Sequence, residues 1–367
     1  MMKNKITIIF IFGLLLMFSG CKKFESADDF KDSNTAPSMT SAVTEDPTNS
    51  HIIEPSTTPT IAPSTAQTLT PEELSMKAYE KFLKNETKVS FDRFMPNDDM
   101  GEALYKNGSE YTLLEVLDIV TAYYFKDSKN SKIRYIDYSY IDCGMDGVNE
   151  LVLRLNGLNI YDRDDDSTLV YIIKYIDGEL SLCYYYETWA RSDSTMNEYG
   201  YYQSGGSNGV SNHSSDYGLI DKDGDWQFIV SIESEFDINQ LTWLDGLGQL
   251  PEVAEANGIT GGIELDTIRF NNDEKAANSD EVGNKECLYT FYVYDENMKP
   301  IEDANLYIDS IYKEIFDEAK VPFITPDEIS TLISEKEKNV GATTEIKEGA
   351  EMTWQVLNES MFSDYVG

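Results

Sequence analysis

Nine residues of this chain, Asp142-Cys143-Gly144-Met145-Asp146-Gly147-Val148-Asn149-Glu150, bring hard oxygen ligands together with glycines that permit sharp bending. Calcium asks for that combination, because it takes six to eight oxygens from a tightly turned loop. Asp142, Asp146 and Gly147 match the first, fifth and sixth positions of an EF-hand loop. Gly144 fails the third position, and Leu153 stands where the bidentate glutamate belongs. The expectation is therefore a β-turn variant with Asp142, Asp146, Asn149 and Glu150 as ligands, set against an ordinary Gly/Asp turn with solvated carboxylates. Asp221-Lys222-Asp223-Gly224-Asp225 poses the same choice, with the turn favoured because Trp226 replaces the EF-hand glycine. Asp162-Arg163-Asp164-Asp165-Asp166 reads as a solvated acidic loop.

Other chemistries find fewer parts. Gly205-Gly206-Ser207-Asn208-Gly209 spells the Gly-x-Ser-x-Gly of a nucleophile elbow. An elbow needs a strand before it, a helix after it and a histidine on a separate loop. His213 lies only six positions after Ser207, and His51 is the one other histidine, so a flexible loop is expected. Cysteine chemistry is bounded too: after Cys21, only Cys143, Cys183 and Cys287 remain. One disulfide at most can close, with Cys143 and Cys183 as the pair to test. Histidine-rich zinc sites and Cys-x-x-Cys are absent from the sequence. Aromatics are abundant, and 15 of the 24 tyrosines fall between residues 123 and 217. Tyr184, Tyr186 and Trp189 form a candidate ligand face for stacking on sugar or gripping a peptide. Tyrosines also suit half-buried strands, which is the competing reading. Paired carboxylates such as Glu187 and Glu198 can be nominated for glycoside hydrolysis, but so many acids empty the signal.

These residues need elements to hold them. Thr70-Pro71-Glu72-Glu73 and Thr112-Leu113-Leu114-Glu115 are capping boxes opening amphipathic helices, the first over residues 71–85. Thr325-Pro326-Asp327-Glu328 is a third, and Ile308, Ile311, Tyr312 and Ile315 share a helical face before it. Between them the period changes to two. Tyr171–Tyr175 and Leu180–Tyr184 flank Asp177-Gly178, a two-residue hairpin turn. Ile133–Ile141 with Glu150–Leu155, and Leu219-Ile220 with Trp226–Ile232, flank further turns, and Leu288–Tyr294 is another strand. The fold class expected is α+β: a central antiparallel β-meander flanked by N- and C-terminal helices. No strand–helix alternation of the kind found in two-lobed solute-binding proteins or dinucleotide folds is present.

Charge limits the partners. The 367 residues carry 29 Lys+Arg against 66 Asp+Glu, a formal net charge of −37. Nucleic acid is excluded as a partner, since its binders need a basic face. Docking on anionic lipid through a polybasic patch is excluded on the same ground.

The N terminus supplies a different route to a membrane. Met1 to Lys5 hold two lysines, Ile6 to Phe18 are uncharged, and Ser19-Gly20-Cys21 follow. That order is a secretory signal peptide, too short for a span of about 20 residues. Phe18-Ser19-Gly20-Cys21 resembles the lipobox of bacterial lipoproteins, in which the cysteine is lipidated, palmitate being one such acyl group. The resemblance implies a signal peptide over 1–20 and attachment through Cys21 to the extracellular face of the cell membrane. From Pro37 to Thr70 there are 14 Ser/Thr and 5 Pro, so residues 21–70 read as the lipidated cysteine and a disordered tether. Residues 71–367 are then an acidic globular domain.

Within that domain Tyr140-Ile141-Asp142-Cys143-Gly144, Asp146-Gly147, Glu150-Leu151, Glu187-Thr188-Trp189-Ala190-Arg191, Asn197-Glu198-Tyr199-Gly200 and Ser204-Gly205-Gly206-Ser207 resemble uncharacterised lipoproteins of Gram-positive, clostridia-like bacteria. The resemblance covers roughly residues 135–230. It implies address and fold and assigns no catalytic residue. The expected function is a lipid-anchored surface binding module for a cell-wall glycan, a peptide or a partner protein, with calcium as a possible aid. The alternative is a hydrolase of wall or environmental polymers using carboxylates or Ser207.

Overall fold

A computed structural model describes residues 69–93, 110–126, 131–158, 167–207, 209–236, 238, 247, 249–259, 261–271, 287–358 and 360–367. The expected signal peptide, the lipobox and the tether up to residue 68 lie outside these residues, as does the acidic loop 162–166. All of the described residues belong to one compact unit, Ala66–Gly367.

In chain order the elements are α1 (Pro71–Leu83), β1 (Val89–Ser90), β2 (Glu110–Tyr111), α2 (Leu113–Tyr124), β3 (Tyr135–Ile141), β4 (Glu150–Leu158), β5 (Ser167–Ile176), β6 (Glu179–Thr188), β7 (Ser192–Met196), β8 (Tyr201–Ser207), β9 (Asn212–Ile220) and β10 (Trp226–Glu235). Then come α3 (Leu250–Ala256), β11 (Ile263–Arg269), β12 (Cys287–Val293), α4 (Ile311–Ala319), α5 (Pro326–Val340), α6 (Thr344–Lys347) and β13 (Gln355–Val356). The class is α+β as expected, with two sheets where the sequence suggested one meander. The first has the order β13-β3-β4-β5-β6-β1-β2, and the second runs β12-β11-β10-β9-β8-β7. Every pairing is antiparallel except β1 with β6.

Local chemistry explains the elements. All three capping boxes form, each threonine accepting from the N3 amide while the N3 glutamate accepts from the cap amide. Asp177 and Gly178 turn β5 into β6 with φ of 52° and 98°, the left-handed pair that a tight hairpin needs. One expectation shifts. Ser310 caps the lysine-313 amide and starts α4 at Ile311, so Ile308 precedes the helix and stays exposed, while Ile315 and Phe316 are buried. A side-chain cap thus overrides apolar spacing at that end.

Alternation along the strands builds the layers. Leu151, Leu153 and Leu155 of β4 and Leu169, Tyr171 and Ile173 of β5 pack against α1 and α2. Val152, Val170 and Ile172 turn to the opposite face and meet Met196, Tyr202 and Ile220 of the second sheet. The far face of that sheet carries Leu219, Val230 and Ile268 under Ile329 and Ile346. Ile263, Leu265, Phe291 and Val293 at the β11–β12 end are covered by α3 and α4. Tyr79 pins α1 down: its hydroxyl donates to the Asn149 carbonyl at 2.9 Å and accepts from the Tyr175 amide at 3.0 Å.

Candidate binding cleft

Asp142, Asp146, Asn149 and Glu150 do lie in one loop, but they do not converge as a calcium set. The Asp142 carboxylate accepts from the Gly147 amide at 3.0 Å, and Asp146 accepts from the Val148 amide at 2.8 Å. Asn149 turns away, donating from its backbone and side chain to Glu72 of α1 at 2.8 and 2.7 Å. Glu150 is fully buried, accepts from the Cys143 amide at 2.7 Å and pairs with the Lys174 ammonium. Asp146 lies 3.9 Å from the same ammonium. A lysine from β5 therefore occupies the place where a cation would be drawn. Among the described residues no group of three or more His, Cys, Asp or Glu side chains is arranged to hold a metal ion.

Gly144 shows what the loop's glycine does instead. Its φ is +72°, and a Cβ there would come within 2.5 Å of the Lys222 amide nitrogen. The 142–150 loop is docked against the 221–225 loop, where Asp221 accepts from the Asp223 and Asp225 amides at 3.0 and 2.9 Å. Both Asp-rich segments are mutually packed turns.

The serine motif also resolves into structure. Gly205 to Ser207 belong to β8 and His213 to β9, so the expected loop is a hairpin. Ser207 is the cross-strand partner of His213. The Ser207 hydroxyl, however, donates to the Gly209 carbonyl at 2.6 Å, and His213 is exposed. Strand follows strand, so the elbow's strand-to-helix turn is missing. Cys143 and Cys183 are both free thiols, so the tested pair does not close. Cys143 and Cys183 are both buried in the core between the sheets, and burial pushes both thiols up.

The proposed aromatic face splits. Tyr184 stacks on Trp226 with ring centres 4.0 Å apart and planes 8° from parallel, inside the inter-sheet layer. Trp189 stands in the turn between β6 and β7, bridged to Ser192. Tyr186 alone reaches a cleft of about 310 Å³, which Ser194 to Met196 of β7 and Gln203 of β8 also line.

The opposite wall of that cleft was not read from the sequence. Met352 and Trp354 come from the segment joining α6 to β13. The Arg154 guanidinium lies 3.7 Å over the Trp354 ring. Its Nε and Nη2 donate to the two oxygens of the buried Asp137 at 3.0 and 2.6 Å, and Asn156 adds a third donor to Asp137 at 3.0 Å. The strand register explains the pairing, since Asp137 of β3 faces Arg154 of β4 directly. The stacked pair is therefore rigid before any ligand arrives, which lowers the ordering cost of binding. Ser194, Thr195 and Gln203 add polar groups, an apolar-plus-polar mixture typical of ligand clefts. A lone tryptophan in a polar stretch, Glu351-Met352-Thr353-Trp354-Gln355, was the signal available.

Elsewhere the structure buries acid without full compensation. Asp266 of β11 and its cross-strand partner Thr290 of β12 each hold a side-chain oxygen with no hydrogen-bond partner, and both are buried. Burial, assisted by Glu264 and opposed by a Ser234 hydrogen bond, pushes Asp266 up to about 7. Burial also works to raise Glu150, but there the Lys174 ammonium pulls the other way and holds the carboxylate in an ion pair, so the pH argument rests on Asp266. For a raised carboxylate the folded state holds the proton that the unfolded state has released. Its stabilisation is complete below the ordinary carboxylate value and is lost as pH rises through about 7. Thermal unfolding should therefore give a higher Tm at pH 5 than at pH 8. Asp266→Asn should flatten that slope by an amount on the order of 2–4 kcal/mol over the interval. An unchanged slope in the variant would rule out Asp266 as its source.

Comparison of the chain with protein-family models, with curated proteins and with solved structures returns no match.

Proposed function

We propose that this chain is a lipid-anchored binding module on the extracellular face of the cell membrane, with the cleft beside Trp354 as its ligand seat. The observation that carries the reading is the prebuilt Asp137–Arg154–Trp354 stack walling a cleft of about 310 Å³. Such a stack offers a flat face and fixed donors but no nucleophile or paired acid and base. The address rests on Phe18-Ser19-Gly20-Cys21 and the Ser/Thr/Pro tether. The proposed attachment is a lipid on Cys21; among the described residues no helix is long and apolar enough to cross a membrane. Kinship with the clostridia-like lipoproteins belongs to the same proposal. Calcium is left out of it, because Asp146 and Glu150 face the Lys174 ammonium and Asn149 turns to Glu72. The serine route of the hydrolase alternative loses support, since the Ser207 hydroxyl is bonded to a carbonyl.

Soluble muropeptides, which carry both sugar and peptide, are the probe. Titration should saturate with the unaltered chain and weaken at least about tenfold in Trp354→Ala, a loss of roughly 1.4 kcal/mol. Equal binding by the variant would move the ligand away from this cleft. Cys21→Ala should abolish acyl labelling and release the protein into the medium. Retention at the membrane would reject the anchor.

A further inference from the structure

We infer that the ligand of this cleft is an extended peptide that adds a strand to the open edge of β7, an inference that rests on the binding reading above. Four consecutive residues, Ser194 to Asn197, line the cleft. Side chains of a strand alternate between its two faces, so four in a row can border one space only if the strand presents its edge.

The ladder shows which main-chain groups that edge offers. Asn197 donates its amide to Tyr201, and Ser207 donates to the Arg191 carbonyl, so residues 191 and 197 point towards β8. In an antiparallel ladder the direction alternates, which turns Ser192, Ser194 and Met196 away from β8. Two contacts agree with this. Ser192 donates to the Trp189 carbonyl at 2.9 Å, and Glu198 donates to Ala350 at 2.9 Å beside the antiparallel bridge between Asn197 and Glu351.

The chain therefore pairs both ends of this edge with itself and leaves the middle open. Among the described residues the Ser194 main chain has no partner on that side. From Ser192 to Asn197 the gap spans roughly 16 Å at about 3.3 Å per residue, room for some three guest residues between the two self-pairings. A main-chain edge is complemented by another main chain, whereas sugar hydroxyls have no matching repeat. The guest lies along β7 between its open edge and the wall that Met352 and Trp354 form, with Tyr186 and Trp354 beside its side chains. The shortness and polarity of Ser192-Asp193-Ser194-Thr195 discourage indiscriminate pairing.

The test uses the full chain in detergent and a phage-displayed library of random dodecapeptides. Enriched peptides should lose at least tenfold in affinity with Ser194→Pro, which removes an outward amide without touching the ladder to β8. They should lose as much when alternate peptide amides are N-methylated, and the unaltered chain should show slowed amide exchange at Ser194 and Met196 on binding. The exchange readout stands even if Ser194→Pro proves unfolded. No enrichment, or binding indifferent to N-methylation and without protection at Ser194, overturns the inference. So does muropeptide binding kept by the glycan strand after its peptides are removed, which would still leave the cleft as a binding seat. Protection that grows with protein concentration alone would give the edge to a second copy and overturn it too.

Discussion

Lys174→Met should destabilise the domain by about 3–5 kcal/mol, the largest loss expected of a single exchange here. The Lys174 side chain is 9% exposed and the Glu150 side chain 0%, so no water can take over the lost partner. Lys174 is raised above its ordinary value: burial works against its charge, and the Glu150 carboxylate more than offsets that. The pair also fastens the 142–150 loop, because Glu150 accepts from Cys143 and Asp146 leans on the same ammonium. Methionine preserves the stem's packing and deletes only the charge, leaving a buried carboxylate alone. The double variant Lys174→Met/Glu150→Gln should recover most of the loss, since it removes both charges. Urea denaturation of the three proteins checks this. A single-variant loss below about 1 kcal/mol would mean that the pair is wetter than its burial implies.

Gly218→Ala should come second, at about 2–4 kcal/mol. A Cβ on Gly218 would fall 2.0 Å from the Trp226 ring, far inside contact distance. The half-buried ring would have to give up its contacts, since it stacks on Tyr184 and meets Tyr202 edge-on with centres 5.5 Å apart. A methyl there must expel Trp226 from the layer between the sheets. Coupling distinguishes this cause from a general backbone effect. In a Trp226→Ala background the additional Gly218→Ala change should cost less than about 1 kcal/mol. Additive losses would assign the glycine another role.

The helix starts at Thr70, Thr112 and Thr325 were legible, each three residues before a glutamate, because the cap is a local bond between near neighbours. The β5–β6 hairpin was legible for a similar reason, its turn chemistry being contained in Asp177-Gly178. What escaped lies in long-range choices. Nothing near residue 150 announces that Lys174, 24 positions later, will take its carboxylate. Nothing near residue 184 says that Trp226 will stack on one face of Tyr184. The cleft escaped for the same reason, since its Trp354 wall meets Arg154 from 200 positions away. Glycine and aspartate at 142–150 were read correctly as turn formers, while the metal they suggested depended on carboxylates remaining unclaimed.

The covering of β3 bears on when this domain can form. Gln355 and Val356 pair with Tyr138 and Asp137, and Gly367 donates to the Ile133 carbonyl at 3.0 Å. One border of the first sheet therefore waits for residues more than 200 positions downstream. Contacts so distant along the chain slow folding, because the intervening loop must close before they return any stabilisation. β4 can pair with one edge of β3 soon after both are made, whereas the outer edge waits until residues 355–367 have emerged.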